Sequence, residues 1–465
     1  MTIAGMAALF AAPAHAEAKP RPNFIVVFID DMGYGDLSCY GNDRVETTNI
    51  DRLASEGIRF TQFYVASPIC SPSRTGLTTG QYPQRWEITS FLAARAENRK
   101  RGMRQWLDPK APTLPRILSE AGYATGHFGK WHMGGQRDVG EAPLISEYGF
   151  DESLTQFEGL GERVLATFDT LYQDNGGKRG LEIGSEKLDR GDVTWMKRYE
   201  ITPAFVDRAI GFMKKTSQTD QPFYVNVWPD DVHSPHEPSP EHRGDGERLD
   251  MFDGVVKELD TQLGPLFEYV RNDPKLRDNT LILLASDNGP EAGVGSAGPF
   301  RGAKGNLYEG GIREPLIAWG PGILKSGQAG ATNDVTVIAA MDVAPSLLSL
   351  AGVESPKDVT FDGVDMSEAL TGAATPRREQ PIFWARPPDR KGPMNSWPDL
   401  AVRLGDLKLL VDEDGSNAQL FDLASDPGES RDLSASRTDD VERLKAEVLA
   451  WKREVTPPKR RGRQQ

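Results

Sequence analysis

Cys70 is the residue with the clearest chemical potential in this sequence. It begins the run Cys-Ser-Pro-Ser-Arg-Thr-Gly-Leu-Thr-Thr-Gly, residues 70–80. The run is compatible with a helix, and Ser71 and Ser73 are residue types that cap exposed backbone N–H groups. We therefore expect Cys70 to lie at a helix N-terminus, which attracts anions. Arg74 adds a planar guanidinium that suits a tetrahedral oxyanion such as sulfate or phosphate, whereas an inert buried thiol is the alternative for a lone cysteine.

Two apolar runs of the sequence each end in a pair of oxygen-bearing side chains. The pairs are Asp30 with Asp31 and Asp287 with Asn288. Ligands of parallel sheets bind at the carboxyl ends of the strands, where these side chains would meet. Four hard oxygen ligands are the set that Ca²⁺ prefers, and no group of His or Cys residues at zinc spacing accompanies them. Each pair alone is also compatible with a simple strand ending.

Cations and imidazoles follow the other predicted strands. Lys130 and His132 lie two residues apart, so on an extended segment their side chains face the same side. A surface lysine beside a core histidine is the alternative. Four more candidates lie after later strands: His233, His236, Arg301 and Lys304.

The elements that must position these residues alternate between strand and helix patterns. Unbroken apolar runs predict strands buried on both faces, at 23–29, 123–126, 223–228, 280–285 and 315–319. Amphipathic patterns predict helices at 49–56, 114–121, from Thr202 onward and at 251–270. Alternation of this kind is typical of an α/β fold with a mostly parallel sheet. Residues 135–191 lack periodicity, and we expect an irregular insertion near the site that selects the substrate.

The two ends of the chain differ from its middle. Residues 1–16 fit a secretory signal peptide with cleavage after Ala16, which predicts a periplasmic or secreted protein. No later segment reaches the ~20 apolar residues of a membrane span. A catalytic domain is predicted at 22–372 and a smaller unit at 373–456, with strands at 400–404, 408–411 and 419–423 and a helix at 441–455. We expect the basic tail, 457–465, to be solvated.

Composition excludes some functions. The net charge of −14 argues against nucleic-acid binding, which needs a basic face, and it means that a polyanionic substrate requires a local basic pocket. Two cysteines, Cys39 and Cys70, provide no disulfide framework, and a bridge between them would consume the candidate nucleophile. The sequence favours no particular oligomeric state.

The run that begins at Cys70 resembles the signature of the type I sulfatases. In that family the cysteine of Cys-x-Pro-x-Arg is oxidised to formylglycine by dedicated machinery, and the hydrated aldehyde is the nucleophile. The resemblance continues in five further segments: 30–36, 286–289, 129–132, 233–236 and 300–315. It also includes the small C-terminal sheet, and it leaves out residues 135–191 and both ends of the chain.

The resemblance implies an alkaline phosphatase-like α/β fold. A large mixed, mostly parallel sheet would lie between helices, followed by a small antiparallel sheet and a helix. The implied activity is hydrolysis of sulfate esters, and an exported enzyme suggests a sulfated carbohydrate. The implied metal is one Ca²⁺, held by Asp30, Asp31, Asp287, Asn288 and Cys70 as formylglycine.

The resemblance also implies roles for individual residues. The catalytic set would be Cys70, Arg74, Lys130, His132, His233 and Lys304, with His236 and Arg301 as substrate-binding residues. The formylglycine would attack sulfur while the cations stabilise the sulfate oxygens, one histidine would protonate the leaving oxygen and His132 would deprotonate the second hydroxyl. Glu309 and Arg313 are expected to form a structural ion pair. A phosphate or phosphonate ester hydrolase and an inactive sulfated-glycan-binding protein are the alternatives.

Overall fold

The computed structural model describes residues 20–135, 137–156, 158–389 and 398–457. The predicted signal peptide at 1–16 and residues 458–465 of the predicted basic tail lie outside these ranges. None of the helices in the described ranges combines the length and the apolar character that crossing a membrane requires.

Strands and helices alternate along most of the chain. The strands are β1 Asn23–Ile29, β2 Ile58–Tyr64, β3 Ala124–Gly129, β4 Glu152–Gln156, β5 Arg163–Thr167, β6 Val193–Lys197, β7 Phe223–Trp228, β8 Thr280–Ser286, β9 Arg313–Trp319, β10 Ala331–Asn333, β11 Ile338–Ala339, β12 Ile382–Ala385, β13 Leu400–Leu404, β14 Leu407–Val411 and β15 Gln419–Asp422. The α-helices are α1 Thr48–Glu56, α2 Cys70–Thr79, α3 Arg95–Lys100, α4 Leu114–Glu120, α5 Gly180–Ser185, α6 Ile201–Ser217, α7 Arg248–Asn272, α8 Pro274–Arg277, α9 Glu309–Ile312, α10 Val343–Ala351, α11 Ser367–Leu370 and α12 Thr438–Val455.

The larger sheet has β1 near its middle. Its strand order is β10-β2-β9-β8-β1-β7-β3-β4-β5-β6, and β11 also pairs with β2. β1 pairs in parallel with both β7 and β8, whereas β9 runs antiparallel to β8 and to β2. The predicted mixed, mostly parallel sheet is therefore confirmed.

Helices cover both faces of this sheet. In β1, Phe24, Val26 and Phe28 belong to one hydrophobic cluster, together with residues of α4 and α10. The alternate residues Ile25 and Val27 belong to the cluster on the opposite face, with residues of α1, α6 and α7. Because both faces are buried, the strand is apolar throughout and shows no alternation.

The expectation of an irregular insertion at 135–191 is wrong. The segment contains β4 and β5, and β6 follows it, so that three parallel strands extend the sheet beyond β3. These strands are five residues long and β6 is only partly buried, so they lack the apolar run that marks a central strand. β2 and β12 were also not predicted from the sequence.

The smaller sheet is antiparallel, in the order β12-β13-β14-β15, and α12 packs against it. Its buried residues belong to the same hydrophobic cluster as α4 and α10 of the larger unit. A buried ion cluster joins the two units as well, because Lys408 Nζ lies 2.9 Å from carboxylate oxygens of both Glu309 and Glu429. The C-terminal unit is thus packed onto the larger unit through both apolar and charged contacts.

Candidate active site

The register of the central strands brings four candidate ligands together. Asp30 and Asp31 follow β1, and Asp287 and Asn288 follow β8, in which Ser286 pairs with Ile29 of β1. Asp31 takes a left-handed conformation with φ of 59°, and its backbone N–H donates to Asp287 Oδ1 at 3.2 Å. The amide nitrogen of Asn288 donates to Asp31 Oδ1 at 2.8 Å.

The donor set of this cluster fits a hard divalent cation. Ligand oxygens of Asp30, Asp31 and Asp287 all lie within 4.8 Å of one another. Within this cluster, Asn288 Oδ1 forms no hydrogen bond with any described residue, and the nearest cation to Asp30 Oδ1 is the Arg74 guanidinium, 3.2 Å away. Buried polar atoms are nearly always satisfied, so a buried amide oxygen without a donor, beside three carboxylates, is suited to a metal ion.

Cys70 is the first residue of α2 and is 2% exposed. The predicted capping by Ser71 and Ser73 is wrong: neither side chain caps α2, and the hydroxyl of Ser71 instead accepts from the Leu92 backbone N–H at 2.9 Å. Burial and the neighbouring Asp30 carboxylate raise the pKa of the Cys70 thiol well above its usual range. The unmodified side chain is therefore a neutral thiol and a poor nucleophile.

Arg74 lies behind the carboxylates and is completely buried. Its Nε donates to Asp287 Oδ2 at 2.9 Å, its Nη2 lies 3.2 Å from Asp30 Oδ1, and its Nη1 donates to the Lys130 carbonyl at 2.8 Å. Arg74 does not line the cavity that contains Cys70. In this geometry Arg74 holds the two carboxylates in position. It does not reach the cavity, whereas the sequence led us to expect direct contact with the sulfate oxygens.

Lys130 and Lys304 bring positive charge to the front of the cluster. The Nζ of Lys130 lies 2.7 Å from Asp30 Oδ2, and the Nζ of Lys304 lies 2.6 Å from Asp31. Burial alone would lower the pKa of Lys130, but the carboxylates of Asp30 and Glu158, with a smaller contribution from Cys70, together outweigh it and raise that pKa well above its usual range. Both ammonium groups line the cavity beside Cys70.

Two neutral imidazoles complete this wall. His132 Nδ1 lies 2.9 Å from Glu158 Oε2, and its Nε2 lies 2.9 Å from the Leu92 carbonyl. Burial lowers the pKa of His132, and the Glu158 carboxylate only partly opposes this. His233 Nδ1 lies 2.7 Å from the Ser234 carbonyl, which leaves Nε2 unprotonated and 3.9 Å from Asp31 Oδ2. Burial and then Lys130 lower the pKa of His233 well below its usual range.

Two predicted substrate-binding residues do not line this cavity. His236 points its Nε2 at the Val232 carbonyl, 3.0 Å away. The guanidinium of Arg301 lies 3.9 Å from the centre of the Tyr308 ring and donates to the Glu429 carbonyl. The structure therefore does not bring His236 or Arg301 to the site.

The cavity beside Cys70 holds about 190 Å³. One wall consists of residues predicted from the sequence: Cys70, Lys130, His132, His233 and Lys304. A second wall comes largely from the 135–191 segment, and its residues were not predicted individually: Arg137, Gln156, Glu158, Phe168, Arg179 and Glu182. The only sequence signal for this second wall was the position of the insertion, directly after Lys130 and His132.

Glu182 and Gln156 are buried polar residues of this second wall, and each has a side-chain oxygen without a described hydrogen-bond partner. Glu182 is 1% exposed, and its Oε2 forms no hydrogen bond with any described residue. Burial raises the pKa of Glu182 to about 8; Arg179 and Arg198 oppose this rise, and the carboxylates of Asp230 and Glu158 add to it. Gln156 Oε1 likewise has no partner in the described part of the chain. Both side-chain oxygens are therefore available to form hydrogen bonds with a polar ligand.

A comparison with protein families gives one match that spans most of the chain. The family described as Sulfatase matches residues 22–353. This range includes both strand-end pairs and Cys70. It also includes the 135–191 segment, which the resemblance of short motifs had left out.

Individual relatives agree with this match. The chain is 35% identical to the pig (Sus scrofa) N-acetylgalactosamine-6-sulfatase over 79% of its length and 69% of that protein. It is 28% identical to the N-acetylgalactosamine-6-O-sulfatase of Bacteroides thetaiotaomicron over 92% and 93% of the two chains. A crystal structure of Ps i-CgsB in complex with k-i-k-neocarrahexaose superposes with a TM-score of 0.76, at 28% identity, over 93% of this chain and 92% of that one.

Proposed function

This chain belongs to the sulfatase family and is a sulfuric ester hydrolase, and from that premise we propose that it removes sulfate from a sulfated sugar with a formylglycine formed at Cys70 and one Ca²⁺. The main support for the proposal is that Cys70, two lysines and two neutral histidines line one cavity, next to three buried aspartates. A binding protein would not require all of these groups together, whereas a phosphate ester hydrolase of the same fold would use them, so matched ester substrates are needed to separate the two activities.

Asp30, Asp31, Asp287 and Asn288 would hold the Ca²⁺, with the modified side chain of residue 70 as a further ligand. When bound, the cation supplies Lewis-acid stabilisation of the charge on sulfate oxygens. Arg74 keeps two of the carboxylates in place, since it contacts both Asp30 and Asp287. Lys130 and Lys304 remain protonated and are placed to stabilise the charge that develops on the sulfate oxygens.

The formylglycine would supply two hydroxyls on one carbon, one to attack sulfur and one to expel sulfate afterwards. A thiol at residue 70 supplies neither, because the pKa of Cys70 is raised and the side chain has no second hydroxyl. His132, neutral and held by Glu158, would accept the proton of the remaining hydroxyl, the role that the family resemblance implies. Its proton acceptance regenerates the aldehyde as sulfate leaves.

His233 would donate a proton to the leaving oxygen of the sugar. In the free protein its pKa is lowered, so the imidazole is neutral. A bound sulfate ester adds negative charge beside it, which raises the pKa of the imidazole and favours its protonated form. Substrate binding therefore prepares the acid that the reaction needs.

The names of the relatives indicate a first substrate. Two of them are N-acetylgalactosamine-6-sulfatases, so N-acetylgalactosamine 6-sulfate is the sugar to test first. The second wall of the cavity, with hydrogen-bonding oxygens on Gln156 and Glu182, supports a polyhydroxylated substrate rather than a simple aryl ester.

The test begins with the modification. Protein is produced together with its maturation machinery, and the tryptic peptide that ends at Arg74 is analysed by mass spectrometry. An aldehyde at residue 70, together with sulfate release from N-acetylgalactosamine 6-sulfate, supports the proposal. Active protein that carries only a free thiol at Cys70 would overturn the formylglycine mechanism. A Cys39→Ala variant is the matched control and is expected to keep full activity.

Matched aryl esters separate the two alternatives. Faster turnover of the aryl phosphate than of the aryl sulfate would favour a phosphoester hydrolase. Binding of a sulfated glycan without release of sulfate by aldehyde-bearing protein would favour a catalytically inactive binding protein.

We further propose that the protein is exported and that cleavage follows Ala16, as the N-terminal sequence predicts. N-terminal sequencing of protein recovered from the periplasm or the medium tests this. A mature chain that still begins at Met1 would contradict it.

A further inference from the structure

We propose that Arg137 and Arg179 form a second anion-binding subsite, which takes another anionic group of the same substrate, either a second sulfate or a carboxylate. This inference rests on the proposed function, because the subsite shares its cavity with Cys70. It adds a substrate class: sugars or short glycans that carry at least two anionic groups.

The two arginines differ from the other cations of the cavity in their lack of a described counter-ion. Lys130, Lys304 and Arg198 lie 2.7, 2.6 and 2.7 Å from their carboxylate partners. Within the ranges that the structure describes, neither Arg137 nor Arg179 forms an ion pair. In the same ranges, the Arg137 guanidinium has one hydrogen-bond partner, the Leu92 carbonyl, which accepts from Nη1 at 3.3 Å.

Arg137 is partly desolvated as well as unpaired. Its Nε is buried and forms no hydrogen bond with the described residues. Burial lowers the pKa of Arg137, and the nearby charges of Arg179 and Arg101 lower it further, against the opposing effect of Glu158. A positive potential therefore remains at this wall. An anion would remove the repulsion and satisfy the orphan N–H group.

The acids of the cavity do not neutralise these arginines. Glu158 is already engaged by Lys130 at 3.3 Å and by His132 at 2.9 Å. Glu182 is held largely protonated near neutral pH, because burial raises its pKa to about 8. Asp230 is paired with Arg198. The wall is thus electropositive inside a protein of net charge −14, where attraction of an anionic glycan has to be local.

The geometry of the side chains suits a planar or tetrahedral oxyanion. A guanidinium donates two parallel N–H groups to a carboxylate or a sulfate. Phe91 lies beside Arg137, with 6.0 Å from the guanidinium carbon to the ring centre, and it also lines the cavity. The phenyl ring provides an apolar surface next to the charged group, as sugar rings require.

The test compares substrates that differ by one anionic group. The first pair is N-acetylgalactosamine 6-sulfate and the corresponding 4,6-disulfate. The second pair is a disaccharide of 6-sulfated N-acetylgalactosamine with a uronic acid, and the same disaccharide with its carboxyl group reduced. The wild-type protein is expected to prefer the dianionic member of at least one pair by about tenfold or more in kcat/KM, and the pair that shows the preference identifies the anion as sulfate or carboxylate.

Arg137→Gln and Arg179→Gln variants are expected to lose most of this preference, through a higher KM for the dianionic substrate. The corresponding Lys variants should retain part of it, since they keep the charge and lose the two-pronged donor. Lys178→Gln is the matched control: it removes a positive charge one residue from Arg179, where the ammonium stacks 4.4 Å from the Trp195 ring centre and does not line the cavity. The control should leave the preference unchanged.

The result that would overturn the inference is sulfate release from monosulfated sugar without any preference for a second anion. An equal loss on every substrate in the Gln variants would also overturn it, since it would assign the arginines to the reacting sulfate or to folding. Calorimetric titration of a Cys70→Ala variant with the same pairs gives the ratio of Kd values without turnover. That ratio tests the anion-binding subsite independently of catalysis. If aldehyde-bearing protein releases no sulfate but the Kd values still favour the dianionic sugar, the proposed function fails and the subsite stands.

Discussion

The two walls of the cavity are built in different ways. The wall that bears Cys70 is formed at the carboxyl ends of central strands and by α2, and its lysines are paired with buried carboxylates, Lys130 with Asp30 and Lys304 with Asp31. The second wall is formed largely by the 135–191 segment at the edge of the sheet, and it meets the first where Glu158 contacts Lys130 and His132. As far as the structure describes the chain, the second wall contains two arginines without an ion pair and two buried oxygens with neither a hydrogen bond nor an ion pair, on Gln156 and Glu182.

This difference separates chemistry from recognition. Paired charges at strand ends are held by the register of buried strands, so their geometry is set by the core of the protein. Unpaired groups on an edge segment gain their partners only from a ligand. Changes in the first wall should abolish the reaction, and changes in the second, apart from Glu158, should alter which sugar is used or how stability depends on pH.

The largest effect is expected for Cys70→Ala, which removes the proposed nucleophile. The rate of sulfate release should fall by at least about three orders of magnitude on every substrate, since the nucleophile is lost. The melting temperature should change little, because the side chain is small and remains buried. A rate within tenfold of the wild type would remove Cys70 from the mechanism.

Removal of the metal is the second prediction. Treatment with a calcium chelator should abolish activity and lower the melting temperature, and added Ca²⁺ should restore both. A ligand whose free concentration is 100 times its Kd stabilises the folded protein by about 2.7 kcal/mol. The matched variant is Asp287→Asn, whose melting temperature should respond less to chelator than that of the wild type. A wild-type protein whose activity and melting temperature ignore the chelator would contradict the metal site.

Glu158→Gln tests the one residue of the second wall that contacts the catalytic set in the described ranges. The Glu158 carboxylate raises the pKa of His132, against the effect of burial. Its loss should lower that pKa further, shift the acidic limb of the kcat profile to lower pH, and reduce kcat by about tenfold or more because the base is weaker. Glu182→Gln is the control and should leave that limb in place. An unchanged profile in Glu158→Gln would restrict Glu158 to a structural role.

The last prediction concerns stability and not activity: a pH dependence of stability that comes from Glu182. Its pKa is about 8 in the folded protein, compared with 4.5 for an ordinary glutamate. The folded state therefore retains a proton that the unfolded state releases, and wild-type stability falls as pH rises between these two values. Glu182→Gln should lack this contribution and gain stability relative to the wild type between pH 5 and 8. Urea unfolding at pH 5 and pH 8 measures the free energy of unfolding of both proteins. An equal loss of stability with pH in the wild type and in Glu182→Gln would contradict the prediction.

The first wall could be predicted from sequence because its residues follow recognisable elements. Asp30 and Asp287 end unbroken apolar runs, and such runs are buried strands whose carboxyl ends meet. Cys70 and Lys130 lie within short motifs that resemble a family. The fold class followed from the same runs. Direct contact of Arg74 with sulfate was not a safe inference, since spacing along a helix does not tell which of several charged neighbours a guanidinium will meet.

The second wall could not be predicted in the same way. β4 and β5 have five residues each and no apolar run, so their order comes from pairing with β3 and not from local sequence. Glu158, Arg179 and Glu182 reach the cavity from loops and a short helix, whose direction depends on that pairing. His236 and Arg301 show the converse error: residues near a motif were expected in the site, whereas their side chains are engaged by Val232 and Tyr308.

The buried contact between the two units has a consequence for the order of synthesis. Glu309 lies at the start of α9, close to the site, and its carboxylate pairs with Lys408, which is 99 residues later in the chain. Burying the carboxylate without this lysine is costly. Within the catalytic unit the carboxylate keeps Arg313 as a partner, 3.3 Å away, so packing around Glu309 is completed at the lowest cost only after the C-terminal sheet has emerged from the ribosome.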